Sequence, residues 1–196
     1  MVDSLAKRSG VVLLFPGAGA NREQPALVRV DAAVSALPGW SVVRADFPYR
    51  REGRRSPDKA PVLMHAVREE LAAIGARKRV VVGGRSMGGR ICSMVAAGAD
   101  GLPAPKQVAG VMTLAYPLHP PGRPDRLRVE HLPDVNVPWL FVHGTRDPFG
   151  TPDELREWAG TVGGPVTLHV VEGKGHDLKG ADSEVAGVVT DWLQSL

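Results

Sequence analysis

Three residues whose side chains can together perform nucleophilic catalysis lie far apart in the sequence: Ser86, Asp147 and His176. A serine hydroxyl is a poor nucleophile at neutral pH, so it needs a base such as histidine to accept its proton. The histidine in turn needs a carboxylate that fixes its tautomer and stabilises the imidazolium. The sequence therefore predicts Ser86 as a nucleophile, His176 as its general base and Asp147 as the residue that orients His176.

The serine lies in the segment GGRSMGG, which directly follows the apolar run RVVV and precedes a helical pattern. Gly84-x-Ser86-x-Gly88 in this context is the pattern of a nucleophile elbow, a sharp strand-to-helix turn that exposes the serine. Side chains at the two glycine positions would clash in so tight a turn. The alternative interpretation is a glycine-rich turn that happens to contain serine. A phosphate-binding P-loop is excluded, because it needs Lys where Gly89 stands and Ser or Thr at Arg90.

Asp147 and His176 also lie in turns that directly follow apolar runs, PWLFV for Asp147 and VTLHVV for His176. Each has a simpler interpretation: Asp147 as an Asx-turn residue before Pro148, and His176 as a histidine of a surface loop. The order Ser, Asp, His along the chain is one of the known orders of a catalytic triad. Because three independent placements agree, the triad is the favoured interpretation.

Catalysis of this kind also needs an oxyanion hole, in which two amides are fixed in place. The elbow geometry assigns one donor to the residue after the nucleophile, Met87, and the other to the loop after the first strand. In that loop, PGAG, the Ala18 amide is the predicted donor and Gly17 is the next candidate. A dinucleotide-binding fingerprint is excluded there, because Arg22 stands where its third glycine is required.

Further residues near these turns are candidate substrate contacts: Gly17, Arg146 beside Asp147, and His119 in the loop after the fourth strand. Four arginines crowd positions 50–55, and two interpretations of them remain open: a solvated loop, or a loop that attracts an anionic substrate. Three histidines at 65, 143 and 169 are interpreted as structural, and His131 receives no assignment. No spacing of His, Cys, Asp and Glu indicates a metal site, and no cofactor is expected.

The turns must be positioned by regular elements, and apolar runs alternate with amphipathic stretches along the chain. Strands are predicted over 11–15, 41–47, 79–82, 108–114, 138–142 and 166–171, and helices over 23–37, 59–74, 86–97, 152–159 and 182–193. Segments 48–58 and 116–134 are predicted loops, and Thr151 is a predicted helix N-cap. Apolar strands separated by helices predict an α/β fold, a three-layer α/β/α sandwich with about six parallel strands. In such sheets the site lies at the carboxyl ends of the strands.

The composition sets wider limits on the class of protein. A chain of 196 residues suits a single domain over 1–196, and 43% apolar with 23% charged residues is ordinary for a globular protein. The net charge of +3 is too mild and dispersed to indicate nucleic-acid binding. With one cysteine, Cys92, no intramolecular disulfide is possible, and a cytoplasmic location is expected. No signal peptide or membrane span is expected either.

The segments LLFPGAGAN, GGRSMGGR, AYPLHPPGRPD, LFVHGTRDPFG and GKGHDLK resemble small α/β-hydrolases of the dienelactone-hydrolase-like group. They are most similar to bacterial relatives of the testis-expressed and histone-acetyltransferase-complex hydrolase-like proteins. The resemblance implies a minimal α/β-hydrolase fold without a cap domain, the same triad and the same two oxyanion amides. Relatives often carry His-Gly where this chain has Pro16-Gly17. Dienelactone hydrolases proper use a cysteine nucleophile, so their specific substrate is not implied.

Together these features predict a serine hydrolase that cleaves a carboxylic ester or thioester of a small molecule through an acyl-enzyme. Neither a nucleic acid nor a membrane is an expected partner. Two alternatives from other classes stay open: a catalytically silent interaction module with the same fold, and an acyltransferase that uses an acceptor other than water.

Overall fold

The computed structural model describes residues 9–196. Within them, six strands form one sheet: β1 (Gly10–Phe15), β2 (Trp40–Arg44), β3 (Val80–Arg85), β4 (Val108–Leu114), β5 (Trp139–Gly144) and β6 (Val166–Val171). All neighbouring strands are parallel, in the order β2-β1-β3-β4-β5-β6. The helices are α1 (Pro25–Ser35), α2 (Pro48–Arg51), α3 (Ala60–Ile74), α4 (Met87–Ala97), α5 (Pro152–Ala159) and α6 (Asp182–Ser195). No helix among the described residues is long and apolar enough to cross a membrane.

Helices cover both faces of the sheet and create two separate apolar clusters. Successive side chains of a strand point to opposite faces, so Leu13 and Phe15 join one cluster while Val12 and Leu14 join the other. The first cluster is closed by α3, α4 and α5, and the second by α1 and α6. All four of these β1 side chains are fully buried, which explains why the central strands are apolar without alternation. The predicted three-layer α/β/α sandwich with six parallel strands is confirmed.

Several element boundaries differ from the prediction. The second strand ends at Arg44 instead of Phe47, and Pro48–Arg51 forms the one-turn helix α2 where a loop was predicted. Phe47 leaves the sheet to stack on Phe15, with ring centroids 4.5 Å apart, and Pro48 then occupies the first helical position, which its fixed φ suits. The third strand continues to Arg85, because the glycines after RVVV still pair with β4.

The elbow between β3 and α4 owes its glycines to the first strand. A β-carbon on Gly84 or on Gly88 would overlap the carbonyl oxygen of Phe15 at the end of β1. Gly84 also has φ of 151°, which side chains rarely allow. The sequence prediction of a clash was therefore right, but the obstacle is the neighbouring strand and not the turn itself.

The sheet has two edges, at β2 and at β6. The first two residues of β6, Val166 and Thr167, are exposed, and the next three are half-buried. Helix α5, which precedes β6, begins with the predicted N-cap: Thr151 accepts a hydrogen bond from the Glu154 amide, and the Glu154 carboxylate accepts one from the Thr151 amide. This capping box fixes the chain as it leaves the turn after β5.

Candidate active site

The three residues of the predicted triad follow three different strands. Ser86 comes directly after β3, Asp147 lies three residues after the end of β5, and His176 lies five residues after the end of β6. Because the strands are parallel, their carboxyl ends meet at one edge of the sheet. The structure accordingly brings the three side chains together there.

Hydrogen bonds connect the three side chains in one chain. His176 Nε2 lies 2.8 Å from Ser86 Oγ, and His176 Nδ1 lies 2.8 Å from Asp147 Oδ2. Asp147 is 5% exposed, and its Oδ1 also accepts a hydrogen bond from the Phe149 amide at 2.9 Å. In this arrangement Nδ1 carries the proton toward the carboxylate, which leaves Nε2 free to accept the proton of the serine.

The serine itself has an uncommon backbone conformation, with φ of 50° and ψ of −117°. Non-glycine residues in such conformations are held there by their surroundings at a cost of about 1–3 kcal/mol, and they cluster at functional sites. One hydrogen bond that holds Ser86 runs from its amide to the carbonyl of Leu114 at the end of β4, at 2.8 Å. The two glycines of the elbow and this bond together fix Ser86 at the start of α4.

Both predicted oxyanion donors have free amides. The N–H groups of Ala18 and Met87 have no hydrogen-bond partner within residues 9–196. The Gly17 amide, by contrast, donates to Gln24 Oε1 at 3.0 Å. Ala18 and Met87 both line the cavity that contains Ser86. Of the two candidate residues in the loop after β1, Ala18 is therefore the one with an amide available to a ligand.

The loops that carry Asp147 and His176 are joined by hydrogen bonds of their backbone. The Arg146 amide donates to the Lys174 carbonyl at 2.8 Å, and the Gly173 amide donates to Thr145 Oγ1 at 2.8 Å. A β-carbon at Gly144, the last residue of β5, would overlap the Lys174 carbonyl oxygen. This close approach fixes Asp147 relative to the loop of His176.

Two residues that sequence reasoning missed hold the histidine in place. The ring of Phe149 stacks on the His176 imidazole with centroids 4.0 Å apart. Arg85 Nη2 donates to the His176 carbonyl at 2.9 Å, and burial lowers the pKa of this guanidinium. Their positions next to motif residues, Phe149 in HGTRDPFG and Arg85 before Ser86, were the available signals.

His143, which the sequence analysis interpreted as structural, is fully buried at the end of β5. Its Nε2 lies 2.8 Å from the carbonyl oxygen of Gly150 and 3.7 Å from Asp147 Oδ2. Burial lowers the pKa of His143, so the imidazole is neutral at pH 7. It thus ties together the two ends of the turn that carries Asp147, in line with its interpretation as structural.

Ser86 opens into a cavity of about 330 Å³, within the size range of small-molecule sites. Its walls are largely apolar, with two arginines and one carboxylate among them. The lining residues are Ala18, Asp58, Ala60, Leu63, Ser86, Met87, Arg90, Ile91, Pro117, Arg128 and Phe149. The predicted loop 116–134, which ends in a 3-10 turn at Leu132–Asp134, contributes Pro117 and Arg128 and so forms one wall.

The three candidate substrate contacts do not line this cavity. His119 is 6% exposed, and its Nδ1 lies 2.9 Å from the carbonyl oxygen of Pro120. Arg146 is exposed at the surface, and Gly17 is buried with its amide occupied. Contact of any of the three with substrate stays a prediction.

Two of the four arginines of segment 50–55 form ion pairs with nearby carboxylates. Arg54 forms ion pairs with Glu52 and Asp58, and Arg51 lies 3.4 Å from Glu70. These pairs favour the interpretation of a solvated surface segment over that of a loop that attracts anions.

A second buried serine–histidine pair, Ser93 and His131, lacks the geometry for catalysis. Ser93 Oγ donates to the carbonyl of Arg90 at 2.7 Å, so His131 Nε2, 2.8 Å away, must donate to Ser93 Oγ. The histidine therefore cannot accept the serine proton. Burial, assisted by the charge of Arg90, lowers the pKa of His131 to about 4.

The one cysteine of the chain offers no further nucleophile, and the described residues form no metal-binding cluster. Cys92 is fully buried against the Gly83 carbonyl, and burial raises the pKa of its thiol far above the ordinary value. Such a thiol is unreactive at neutral pH. Among residues 9–196, no three His, Cys, Asp or Glu side chains are grouped so that they could hold a metal ion.

Comparisons with a family profile and with solved structures identify proteins similar to this chain. Residues 8–190 match the sequence profile of a family described as an alpha/beta hydrolase domain. The structure is similar to a dienelactone hydrolase from Anabaena variabilis, with a TM-score of 0.76 and 21% identity over 95% of this chain and 86% of that chain. It is also similar to an alpha-beta serine hydrolase homologue from Coxiella burnetii, with a TM-score of 0.72 and 18% identity over 95% of this chain and 85% of that one.

A monoacylglycerol lipase from Paleococcus ferrophilus has a TM-score of 0.71 and 17% identity over 95% of this chain and 94% of its own. At these identities the structural similarity concerns the fold alone.

Proposed function

This chain belongs to the alpha/beta hydrolase domain family, and from that premise we propose that it is a serine hydrolase that cleaves a carboxylic ester or thioester through an acyl-enzyme. The reaction would take place in the cavity beside Ser86, with Ser86, His176 and Asp147 as the triad. The proposal includes the Met87 and Ala18 amides as donors to the oxyanion.

In the first half of this mechanism, Ser86 Oγ attacks the ester carbonyl while His176 Nε2 accepts the hydroxyl proton. The carbonyl oxygen becomes an oxyanion and accepts hydrogen bonds from the two free amides. His176 then gives its proton to the leaving alcohol or thiol, and the acyl group stays on Ser86. A water molecule repeats the sequence, so that the carboxylic acid is released and Ser86 regains its proton.

The observation that carries the proposal is the continuous chain of hydrogen bonds from Ser86 Oγ through His176 to buried Asp147, with both linking distances at 2.8 Å. It begins at a serine held with positive φ beside two free amides. A glycine-rich turn without a catalytic role would need neither the strained serine nor a histidine oriented by a carboxylate.

The test uses p-nitrophenyl esters of varied acyl length with the wild-type protein and Ser86→Ala. Loss of the nucleophile should lower kcat by several orders of magnitude; the corresponding loss in one serine protease is about 10⁶-fold. Ser93→Ala is the matched control, because it removes another buried serine that is hydrogen-bonded to a histidine, and it should retain activity. Equal turnover by wild type and Ser86→Ala would contradict the proposal.

A serine-directed fluorophosphonate probe supplies an independent readout. Wild type and Ser93→Ala should be labelled, and Ser86→Ala should not. A folded wild-type protein that is not labelled would instead support a catalytically silent interaction module.

A further inference from the structure

Two arginines line the cavity that contains Ser86, and neither forms an ion pair within residues 9–196. Arg90 lies on α4, four residues after Ser86. Arg128 comes from the opposite wall, the segment 116–134. Arg54, which contacts the cavity residue Asp58, differs from them because it pairs with two carboxylates.

Both guanidinium groups are only partly satisfied. Arg90 Nε is buried without a hydrogen-bond partner in the described chain, and the neighbouring polar group that Arg90 reaches is the uncharged hydroxyl of Tyr116. Arg128 Nη1 donates to the carbonyl of Pro117 at 3.2 Å. Burial and the nearby charge of Arg90 lower the pKa of Arg128. Two positive charges held together in a partly buried wall destabilise each other unless an anion joins them.

The carboxylates near the cavity do not supply that anion. Asp58 is the one acidic residue of the lining, and its Oδ1 accepts a hydrogen bond from Arg54 Nη1 at 2.8 Å. Glu130 is exposed and does not line the cavity. Arg54 is shared between Asp58 and Glu52, and Asp58 Oδ2 is buried without a hydrogen-bond partner in the described chain. Arg54, Arg90 and Arg128 together therefore exceed these two carboxylates by one positive charge.

The remaining lining of the cavity is largely apolar. Leu63, Ile91 and Phe149 suit the methylene groups of a short acyl chain, and about 330 Å³ is room for such a chain. We infer that this site takes esters or thioesters whose acyl chain ends in a carboxylate, which Arg90 and Arg128 bind while Ser86 attacks the ester carbonyl.

This inference rests on the proposed hydrolase function and adds the substrate class. Guanidinium groups suit the recognition because their planar N–H groups form paired, charge-assisted hydrogen bonds with a carboxylate. Because the acyl group stays on Ser86 through both halves of the reaction, the same two arginines would orient it in acylation and in deacylation.

The experiment compares two p-nitrophenyl esters of adipic acid that differ at the far end of the acyl chain. One carries a free carboxylate, and the other carries a methyl ester there. Wild type should have the higher kcat/KM for the charged ester. In Arg90→Met and Arg128→Met, kcat/KM for the charged ester should fall about tenfold to hundredfold, the equivalent of one lost hydrogen bond between charged groups. The capped ester should be hydrolysed nearly as well as by wild type.

Three controls separate recognition from damage. Arg123→Met removes an exposed arginine of segment 116–134 that pairs with Asp125 outside the cavity. This variant should hydrolyse both esters with the kcat/KM of wild type. Arg90→Lys and Arg128→Lys keep the charge without the planar N–H pair, so their losses should be intermediate. Circular dichroism and thermal unfolding would show whether each variant is folded.

The inference is overturned if the kcat/KM of wild type is not higher for the charged ester. It is also overturned if the Met variants lower kcat/KM equally for both esters. If wild type hydrolyses other p-nitrophenyl esters but neither adipate ester, the inference is overturned and the hydrolase proposal stands. If wild type hydrolyses no p-nitrophenyl ester, the hydrolase proposal fails and binding of adipate decides the inference separately. Titration calorimetry with wild type should then show adipate binding that is weakened in both Met variants. Absence of adipate binding to wild type would overturn it.

Discussion

The buried histidine His131 should make the protein sensitive to mild acid. Its pKa in the folded protein is about 4, against an ordinary value of 6.5, because burial and the charge of Arg90 disfavour the imidazolium. Above pH 6.5 both folded and unfolded chains hold a neutral imidazole, and the residue contributes no pH dependence. As the pH falls from 6.5 to about 4, the unfolded chain binds a proton at this histidine and the folded chain does not. The free energy of unfolding therefore decreases over that range.

The size of the effect follows from the same two values. The full gap corresponds to about 3 kcal/mol, and about 2 kcal/mol of it is already lost at pH 5. His131→Gln removes the titrating group, while the Gln amide can still donate to Ser93 Oγ in place of Nε2. The free energy of unfolding of this variant should therefore fall less between pH 7 and pH 5 than that of wild type, by about 2 kcal/mol.

Urea unfolding at the two pH values measures this difference directly. His65→Gln is the matched control, because His65 is an exposed histidine on α3 and its replacement should leave the pH dependence of wild type unchanged. The comparison between variants cancels the contributions of the carboxylates and of His143. If His131→Gln loses as much stability as wild type between pH 7 and pH 5, the reasoning about His131 is refuted.

Three further substitutions probe the site and the elbow. Asp147→Asn should lower kcat by about 10⁴-fold, with circular dichroism unchanged, because the amide stabilises the wrong histidine tautomer. Arg85→Met should lower kcat by about tenfold with little change in KM, because it removes the donor to the His176 carbonyl; an unchanged kcat would exclude a positioning role. Gly88→Ala should destabilise the fold by about 1–3 kcal/mol, because its β-carbon would overlap a backbone carbonyl. Gly187→Ala, at an exposed helical position with no atom within 4 Å, should instead stabilise the fold slightly. Thermal unfolding measures both effects.

Much of the framework was predictable from the sequence because its signals are local. Apolar runs predicted all six strands, and the turns after three of them predicted where the triad residues meet. Because the carboxyl ends of parallel strands lie at one edge of the sheet, the turns that follow these strands lie close together. Thr151 was predictable for the same reason, because its capping partner is three residues away.

What could not be predicted depends on contacts between distant segments. The role of Arg85 follows from a bond to a carbonyl 91 residues away, and the free Arg90 and Arg128 meet only because segment 116–134 folds back over α4. The arginine cluster at 50–55 is conspicuous in the sequence, yet local carboxylates pair with it. The arginine-rich segment 50–55 was therefore visible in the sequence, whereas the unpaired Arg90 and Arg128 became visible only in the folded structure.

His176, the general base of the proposed triad, follows β6, an edge strand of the sheet. β6 lies at the edge of the sheet, pairs with β5 on one side, and exposes its first residues. Edge elements exchange their amide hydrogens through local openings that cost less than global unfolding. We therefore expect β6 amides to exchange faster than those of β3, and catalytic activity to disappear at urea concentrations that still leave the central strands intact. Ser86, which follows the interior strand β3, and His176, which follows the edge strand β6, would then lie in regions of different local stability.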